Sequence, residues 1–185
     1  MRANDRYRQE IAICTRKLSK SYRHRTILDQ IDLEIPAGQC VGLMGANGAG
    51  KTTLLRCLAA LARPTYGELR WFGRLAHGEP SDRRLIGFVA HEHRLYPQLT
   101  LKENLVFAAR MYGLSAPRRS AQDWLRRTGI DSFADDRPLQ VSQGIRQRVS
   151  VAQALIHDPP IVLMDEPFSS LDDDSSQWLR ALMSK

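Results

Sequence analysis

The sequence predicts an α/β fold with a mainly parallel core and a helical insertion, and three observations carry that prediction. Two short, near-continuous apolar runs, Cys40-Val41-Gly42-Leu43-Met44 and Ile161-Val162-Leu163-Met164, have the character of strands buried on both faces. The first run leads through a glycine-rich loop into a helical pattern, and the second ends on Asp165-Glu166. Between them lie stretches with apolar residues three and four apart, the spacing of amphipathic helices. Strands alternating with helices are the signature of α/β architecture.

Taken in order, Ile11 to Cys14 is a short apolar strand. Ile27 to Ile35 alternates, with Ile27, Ile31, Leu33 and Ile35 on one face, before a turn at Pro36-Ala37-Gly38. A helix is expected from about Lys51 to Leu61, stopped ahead of Pro64. Strands follow at Glu68 to Phe72 and Leu85 to Ala90, flanking a Gly/His/Pro loop. Helices are predicted over Leu101 to Tyr112, Arg118 to Thr128 (closed by Gly129) and Gly144 to His157, the last ended by Asp158-Pro159-Pro160. A final helix covers Ser175 to Met183. This organisation is read as one domain, with residues 1–92 and 157–185 as a core and 93–156 as a helical lobe carrying its own motif.

Length and composition narrow the function classes. The 185 residues are 43% hydrophobic and 25% charged, enough apolar material for a core and no sign of disorder or a disulfide scaffold. Cys14, Cys40 and Cys57 are odd in number and unrelated in spacing, so neither a zinc site nor a disulfide framework is expected, and reduced thiols fit the cytosol. No apolar run reaches the ~18 residues of a membrane span, and the N-terminus lacks the apolar stretch of a signal peptide. The net charge of +7 is concentrated: residues 1–25 hold eight basic side chains against Asp5 and Glu10, whereas the remaining 160 carry 19 basic and 18 acidic. That is a basic leading segment on a balanced body, the pattern of a solvated terminus or of weak attraction to anionic lipid or nucleotide. It is not the basic stripe of a nucleic-acid reader.

Gly45-Ala46-Asn47-Gly48-Ala49-Gly50-Lys51-Thr52 satisfies G-x-x-x-x-G-K-[ST]. An apolar run enters it and a helix leaves it, the context that a phosphate-binding loop requires. Its glycines let successive amides turn inward on phosphate oxygens, and the helix dipole adds positive potential. Lys51 is expected to reach the β- and γ-phosphates, Thr52 to offer a hydroxyl to Mg²⁺, and Thr53 to add a phosphate contact. Asp165, at a strand's carboxyl end, suits Mg²⁺ held through water, and Glu166 suits a general base for attacking water.

With these motifs in place the chain resembles the ATP-binding subunit of ABC transporters, from about Ile11 to its last residues. Tyr22 falls where that family places an aromatic that stacks on adenine. Val141-Ser142-Gln143-Gly144-Ile145-Arg146-Gln147-Arg148 resembles the LSGGQ signature with its following R-Q-R, and Ser169-Ser170-Leu171-Asp172 resembles the D-loop. The resemblance implies a P-loop NTPase (RecA-like) core with N-terminal antiparallel strands. ATP and Mg²⁺ are the implied cofactors. It also implies head-to-tail pairing of two copies, each ATP held between one phosphate loop and the other copy's Ser142, Gln143 and Gly144. An integral membrane permease is implied as partner, docking near His91 to Tyr96, with the chain peripheral on the cytoplasmic face of the membrane. Nucleic acid is not an expected partner, although a soluble relative acting on nucleic acid or the ribosome, and an ATP-binding regulatory subunit without turnover, remain alternatives.

Three departures from the family pattern matter. His91 stands where the family has the Q-loop glutamine; a neutral imidazole accepts from water or approaches Mg²⁺ and an imidazolium does not, so activity is expected to fall as His91 protonates. Gln143 and Ile145 replace a glycine and a glutamine, and a left-handed backbone at 143 would cost about 1 kcal/mol. The family's switch histidine is absent, since no histidine follows His157, so the sequence is read as stopping within the domain and ATP binding is better supported than efficient hydrolysis. Within the family, residues 87–114 and 142–172 are similar to haem-exporter ATPases of cytochrome c maturation, which makes haem export the expected transport reaction.

Overall fold

The computed structural model describes residues 10–76, 78–79, 82–169 and 171–183. Arg2, Arg6 and Arg8 of the basic leading segment, and Ser170 of the Ser169–Asp172 motif, lie outside the described residues. The chain divides into two compact units, Met1–Ile86 and Gly87–Lys185.

The first unit is built on an antiparallel sheet. β1 (Ile11–Tyr22) pairs with β2 (Arg25–Pro36) on one side and with β3 (Tyr66–Trp71) on the other, and β3 pairs with β4 (Arg74–Leu75). Alternation in β2 places Ile31, Leu33 and Ile35 on the half-buried face as expected, but Leu28 rather than Ile27 is the buried residue at its start. A bulge is the reason. Leu18 and Lys20 of β1 face Ile31 and Leu28, so β2 carries one extra residue there. Gln30 absorbs it at φ +49°, its amide donating to Ser19 Oγ at 2.9 Å. α1 (Lys51–Leu58) buries Leu54, Cys57 and Leu58, and Trp71 Nε1 donates to the Leu58 carbonyl at 3.0 Å. Burial pushes the Cys57 thiol above its ordinary range, which keeps it a protonated core group.

The run Cys40–Met44 departs from expectation. It is irregular chain outside any ladder, with Val41, Leu43 and Met44 exposed, Met44 to 92%. β1 to β4 pair among themselves and leave this run without a ladder partner, so apolar character alone does not make it a strand.

In the second unit β5 (Ile86–Val89) and β6 (Ile161–Met164) form a two-stranded sheet. Between them in sequence run α2 (Leu101–Met111), α3 (Pro117–Arg127) and α4 (Gln143–Leu155), and α5 (Asp173–Met183) follows. Local chemistry sets the starts. Thr100 caps α2 in a reciprocal box with Glu103, Pro117 occupies the first turn of α3, and Ser142 caps α4. The helical core joins Leu101, Leu105, Trp124 and Leu125 to Val149 and Ala152 of α4. The other side of α4 packs Val151 and Ala154 with Val89 and Leu179. α4 is therefore buried on two faces.

Asn104 is a polar side chain sunk in this core, fully buried. Its Oδ1 accepts from the Tyr96 amide at 2.7 Å, and its Nδ2 donates to the carbonyls of Tyr96, Leu99 and Thr100 at 3.1, 3.3 and 2.9 Å. One residue thus shapes the loop from Tyr96 to Thr100. Removing it leaves partly buried backbone groups without their partner, so Asn104→Ala is expected to lower stability by about 1–2 kcal/mol. Denaturant unfolding measures this, and a loss below about 0.5 kcal/mol contradicts the assignment.

Candidate functional site

In the first unit the phosphate loop is shaped by backbone torsions that few side chains tolerate. Gly48 sits at φ +81° and Gly50 at φ +93°. A Cβ on Gly50 would come within 3.1 Å of both Ile27 Cγ2 and Leu28 Cδ2, so the loop closes tightly on β2 where α1 begins. Ala49 donates to the Ala46 carbonyl at 3.2 Å, and the helical ladder opens with Leu54 donating to Gly50 at 2.8 Å. Lys51 Nζ donates to the carbonyls of Gly45 and Ala46 at 2.8 and 2.9 Å, drawing its ammonium across the loop mouth. Thr52 and Thr53 follow in the first turn of α1, whose amides face out of the helix N-terminus. Asn47 belongs to the same exposed turn.

Tyr22 ends β1 opposite Arg25, near the Ile27–Leu28 segment that Gly50 approaches. Its ring is half-exposed, with Lys20 Nζ 4.9 Å from the centroid. The hairpin register therefore brings this aromatic and the phosphate loop to the same end of the first unit.

In the second unit three predicted residues meet. Asp165 is buried at 4% exposure, and its amide donates to the Val89 carbonyl at 2.9 Å, which fixes the end of β6 beside β5. Glu166 follows at φ +49°, a left-handed backbone that side chains rarely adopt and that costs about 1–3 kcal/mol. Its Oε2 lies 3.5 Å from His91 Nδ1, and Ser169 Oγ lies 3.3 Å from the same nitrogen. His91, from the loop after β5, is thus in contact with the candidate base. Nearby His93 is held below the ordinary histidine range by burial, reinforced by Arg146 and His91.

Oxygen donors suit Mg²⁺, and each unit carries a hard oxygen donor of its own, the Thr52 hydroxyl in the first and the Asp165 carboxylate in the second. Among the described residues no cluster of three His, Cys, Asp or Glu could hold a metal ion by itself.

Ser142 caps α4, its Oγ accepting from the Ile145 amide at 3.4 Å. Gln143 opens the helix without a left-handed torsion, so the strain expected of a non-glycine there does not arise. Gly144 is buried. Asp172 Oδ1 accepts from the Ser175 amide at 2.8 Å, and that bond, with the Ser175 hydroxyl, holds the Asp172 carboxyl below its ordinary range.

A groove of about 530 Å³ lies along α2, lined by Leu99, Val106 and Phe107 with Lys102, Arg110 and Arg118 among its charged residues. Tyr96 meets Phe107 edge-on at 5.0 Å, and both rings are exposed. Sequence reading singled out His91 to Tyr96 but missed α2 as a wall and Asn104 as the loop's anchor. A polar residue inside the Leu101–Leu105–Ala108 stripe was the available signal. Among the described residues, no helix is long and apolar enough to cross a membrane.

Comparison with known proteins agrees with this geometry. The sequence profile of the ABC transporter family matches residues 28–169. The chain is 36% identical to a probable sulfate/thiosulfate import ATP-binding protein, CysA, of Chlorella vulgaris, over 95% of this chain and 77% of that protein. It is 37% identical to the Nod factor export ATP-binding protein I of Paraburkholderia xenovorans (strain LB400), over 95% of this chain and 60% of that one. A dimeric ATP-binding cassette in a post-hydrolysis state, bound to ADP and Pi, superposes with a TM-score of 0.83 at 31% identity, covering 94% of this chain and 82% of that one. The chain spans only about half the length of several other curated relatives, from 43% to 50%. With a profile match across well over half its residues and a P-loop cassette as its structural counterpart, the chain belongs to the ABC transporter family of ATP-binding proteins, ATPases that bind ATP with Mg²⁺.

Proposed function

We propose that this chain is the ATP-binding subunit of an ABC transporter and hydrolyses ATP to drive transport across the cytoplasmic membrane, on whose inner face it is peripheral. The observation that supports this most is the phosphate loop, with left-handed glycines at 48 and 50 and a lysine drawn across its mouth. Bound MgATP supplies the phosphoanhydride bond whose cleavage releases the driving energy.

The chain's own residues supply binding, position and a base. Residues 45–53 wrap the phosphates with amides, Lys51 neutralises them, and Thr52 and Asp165 offer oxygens to the metal. Tyr22 stacks on the base. Glu166 accepts a proton from the attacking water and orients it. Ser142, Gln143 and the Gly144 amide at the N-terminus of α4 seat the γ-phosphate held by a second copy, paired head to tail. The solved counterpart is itself dimeric.

His91 supports Glu166. Its Nδ1 lies 3.5 Å from the Glu166 carboxylate and 3.3 Å from Ser169 Oγ, so it helps to hold the side chain of the candidate base in place. His91→Gln keeps a polar group at that position and is expected to hold turnover within about threefold, whereas His91→Ala is expected to lower it about tenfold. Equal turnover in wild type and His91→Ala removes His91 from this role.

The permease docks on the groove along α2 and the loop from His91 to Tyr96, where exposed aromatics lie beside basic side chains. Cargo and direction are finer matters. The two relatives described are named for import and for export. Haem export rests on the sequence resemblance of residues 87–114 and 142–172 alone. Reconstitution with the permease encoded beside this chain, followed by Mg-dependent ATPase and cargo-stimulated turnover, tests the whole reading. No affinity for MgATP would end it, and stimulation by a cargo other than haem would end only the finer part.

A further inference from the structure

Helix α4 carries the anion seat at its N-terminus, and it also touches the stretch from Glu166 to α5 at three places. Gln147, only 5% exposed, donates from Nε2 to the Pro167 carbonyl at 3.1 Å, in the residue directly after Glu166. Gly144 abuts the start of α5. A Cβ there would fall far inside contact distance of Ser175 Oγ, 3.3 Å from Ser175 Cβ and 3.4 Å from Asp172 Oδ2. Its torsion is not left-handed, so the position is bare for closeness alone. Arg148 Nη1 donates to the Thr128 carbonyl at 3.1 Å, its Nη2 pairs with Asp174, and its guanidinium lies 5.2 Å from the Trp178 ring centre.

Glu166 needs such support. A side chain at φ +49° persists only where its surroundings hold the backbone there. Within this unit the restraint on one side is the β5–β6 ladder through Asp165; on the other, the Glu166 carbonyl accepts from the Ser169 amide at 3.0 Å, a bond within the turn itself, and Gln147 ties the next carbonyl, that of Pro167, to α4. We propose that α4 is a strut that positions Glu166 and the segment leading to Asp172 relative to the anion seat at Ser142–Gly144, with Gln147 and Gly144 as its positioning residues. This rests on the ATPase reading above. Its consequence is that any displacement of the seat on closing over a phosphate is passed to the base.

The test uses the chain assembled with its permease. Gln147→Leu keeps the bulk and removes the donor. It is expected to lower kcat about tenfold or more with KM for ATP within about twofold, because the base moves while phosphate contacts stay. Gly144→Ala is expected to lower kcat at least tenfold through collision with Ser175, while Ser175→Ala alone stays within about twofold of wild type. Combined, Gly144→Ala/Ser175→Ala is expected to regain at least threefold over Gly144→Ala, a partial recovery because the Oγ contact goes while Ser175 Cβ stays at 3.3 Å. A loss at Gly144 caused only by a blocked phosphate contact gives no such recovery. Equilibrium binding of MgATP and thermal melting accompany each variant, and if Gln147→Leu does not fold, the Gly144/Ser175 pair decides. A double variant no better than Gly144→Ala, or a folded Gln147→Leu with full kcat, overturns the strut and leaves the ATPase reading standing. A wild-type assembly without Mg-dependent hydrolysis overturns that reading instead.

Discussion

Glu166→Gln is expected to leave MgATP affinity within about threefold and to lower turnover by about 10²–10⁴-fold, the range ascribed to a positioned base. Glutamine matches glutamate in size, so the left-handed backbone at 166 and the Pro167–Gln147 hydrogen bond persist, and only proton acceptance is lost. His91 Nδ1, 3.5 Å from Oε2, retains a polar neighbour in the variant, so the loop after β5 has no reason to move. Hydrolysis and binding are therefore separable at this residue. The ATP-loaded variant should accumulate as a head-to-tail pair, visible as a shift in gel filtration with ATP and not with ADP. Single-turnover hydrolysis measures the chemical step, and a Glu166→Gln chain that cleaves ATP at the wild-type rate removes Glu166 as base.

How much of this was readable beforehand depends on whether the information is local. Helices α2 to α4 and strand β6 followed from apolar spacing and from the stops at Gly129 and Asp158-Pro159-Pro160, signals that act within a few residues. The Thr100–Glu103 box and Pro117, seen in the structure, are equally local. Cys40–Met44 failed for a non-local reason: apolarity says that a run can be buried, while strand formation needs a partner ladder elsewhere in the chain. The bulge at Gln30 moved burial from Ile27 to Leu28, a shift set by the register of β1 against β2. In the site, the phosphate loop, Asp165 and Glu166 were legible from residue types and spacing. The contact of His91 with Ser169 joins residues 78 positions apart. The torsion at Glu166 belongs to no sequence pattern that glutamate carries, and the attachment of Gln147 to Pro167 is equally a product of tertiary packing.

Lys51→Ala is expected to weaken MgATP binding by about 10²-fold, the second largest effect in the molecule. The ammonium donates to the Gly45 and Ala46 carbonyls, so it is the cation that already crosses the loop mouth. A triphosphate offers it charged oxygens in exchange for neutral carbonyls, and each charge-assisted hydrogen bond is worth about 1.5–3 kcal/mol. One such bond at the upper end of that range corresponds to about 10² in affinity. Both loop carbonyls accept near the surface, so water replaces the ammonium in the unliganded variant and thermal stability should move by less than about 0.5 kcal/mol. Lys51→Arg separates charge from shape. Its planar fork keeps the cation but cannot sit as a point charge between two carbonyls only one residue apart, so its affinity should fall between wild type and Lys51→Ala. Titration calorimetry with MgATP orders the three proteins. Equal affinity for wild type and Lys51→Ala would mean that the amides of the loop hold the phosphates unaided, and Lys51 would then be only a brace across the loop.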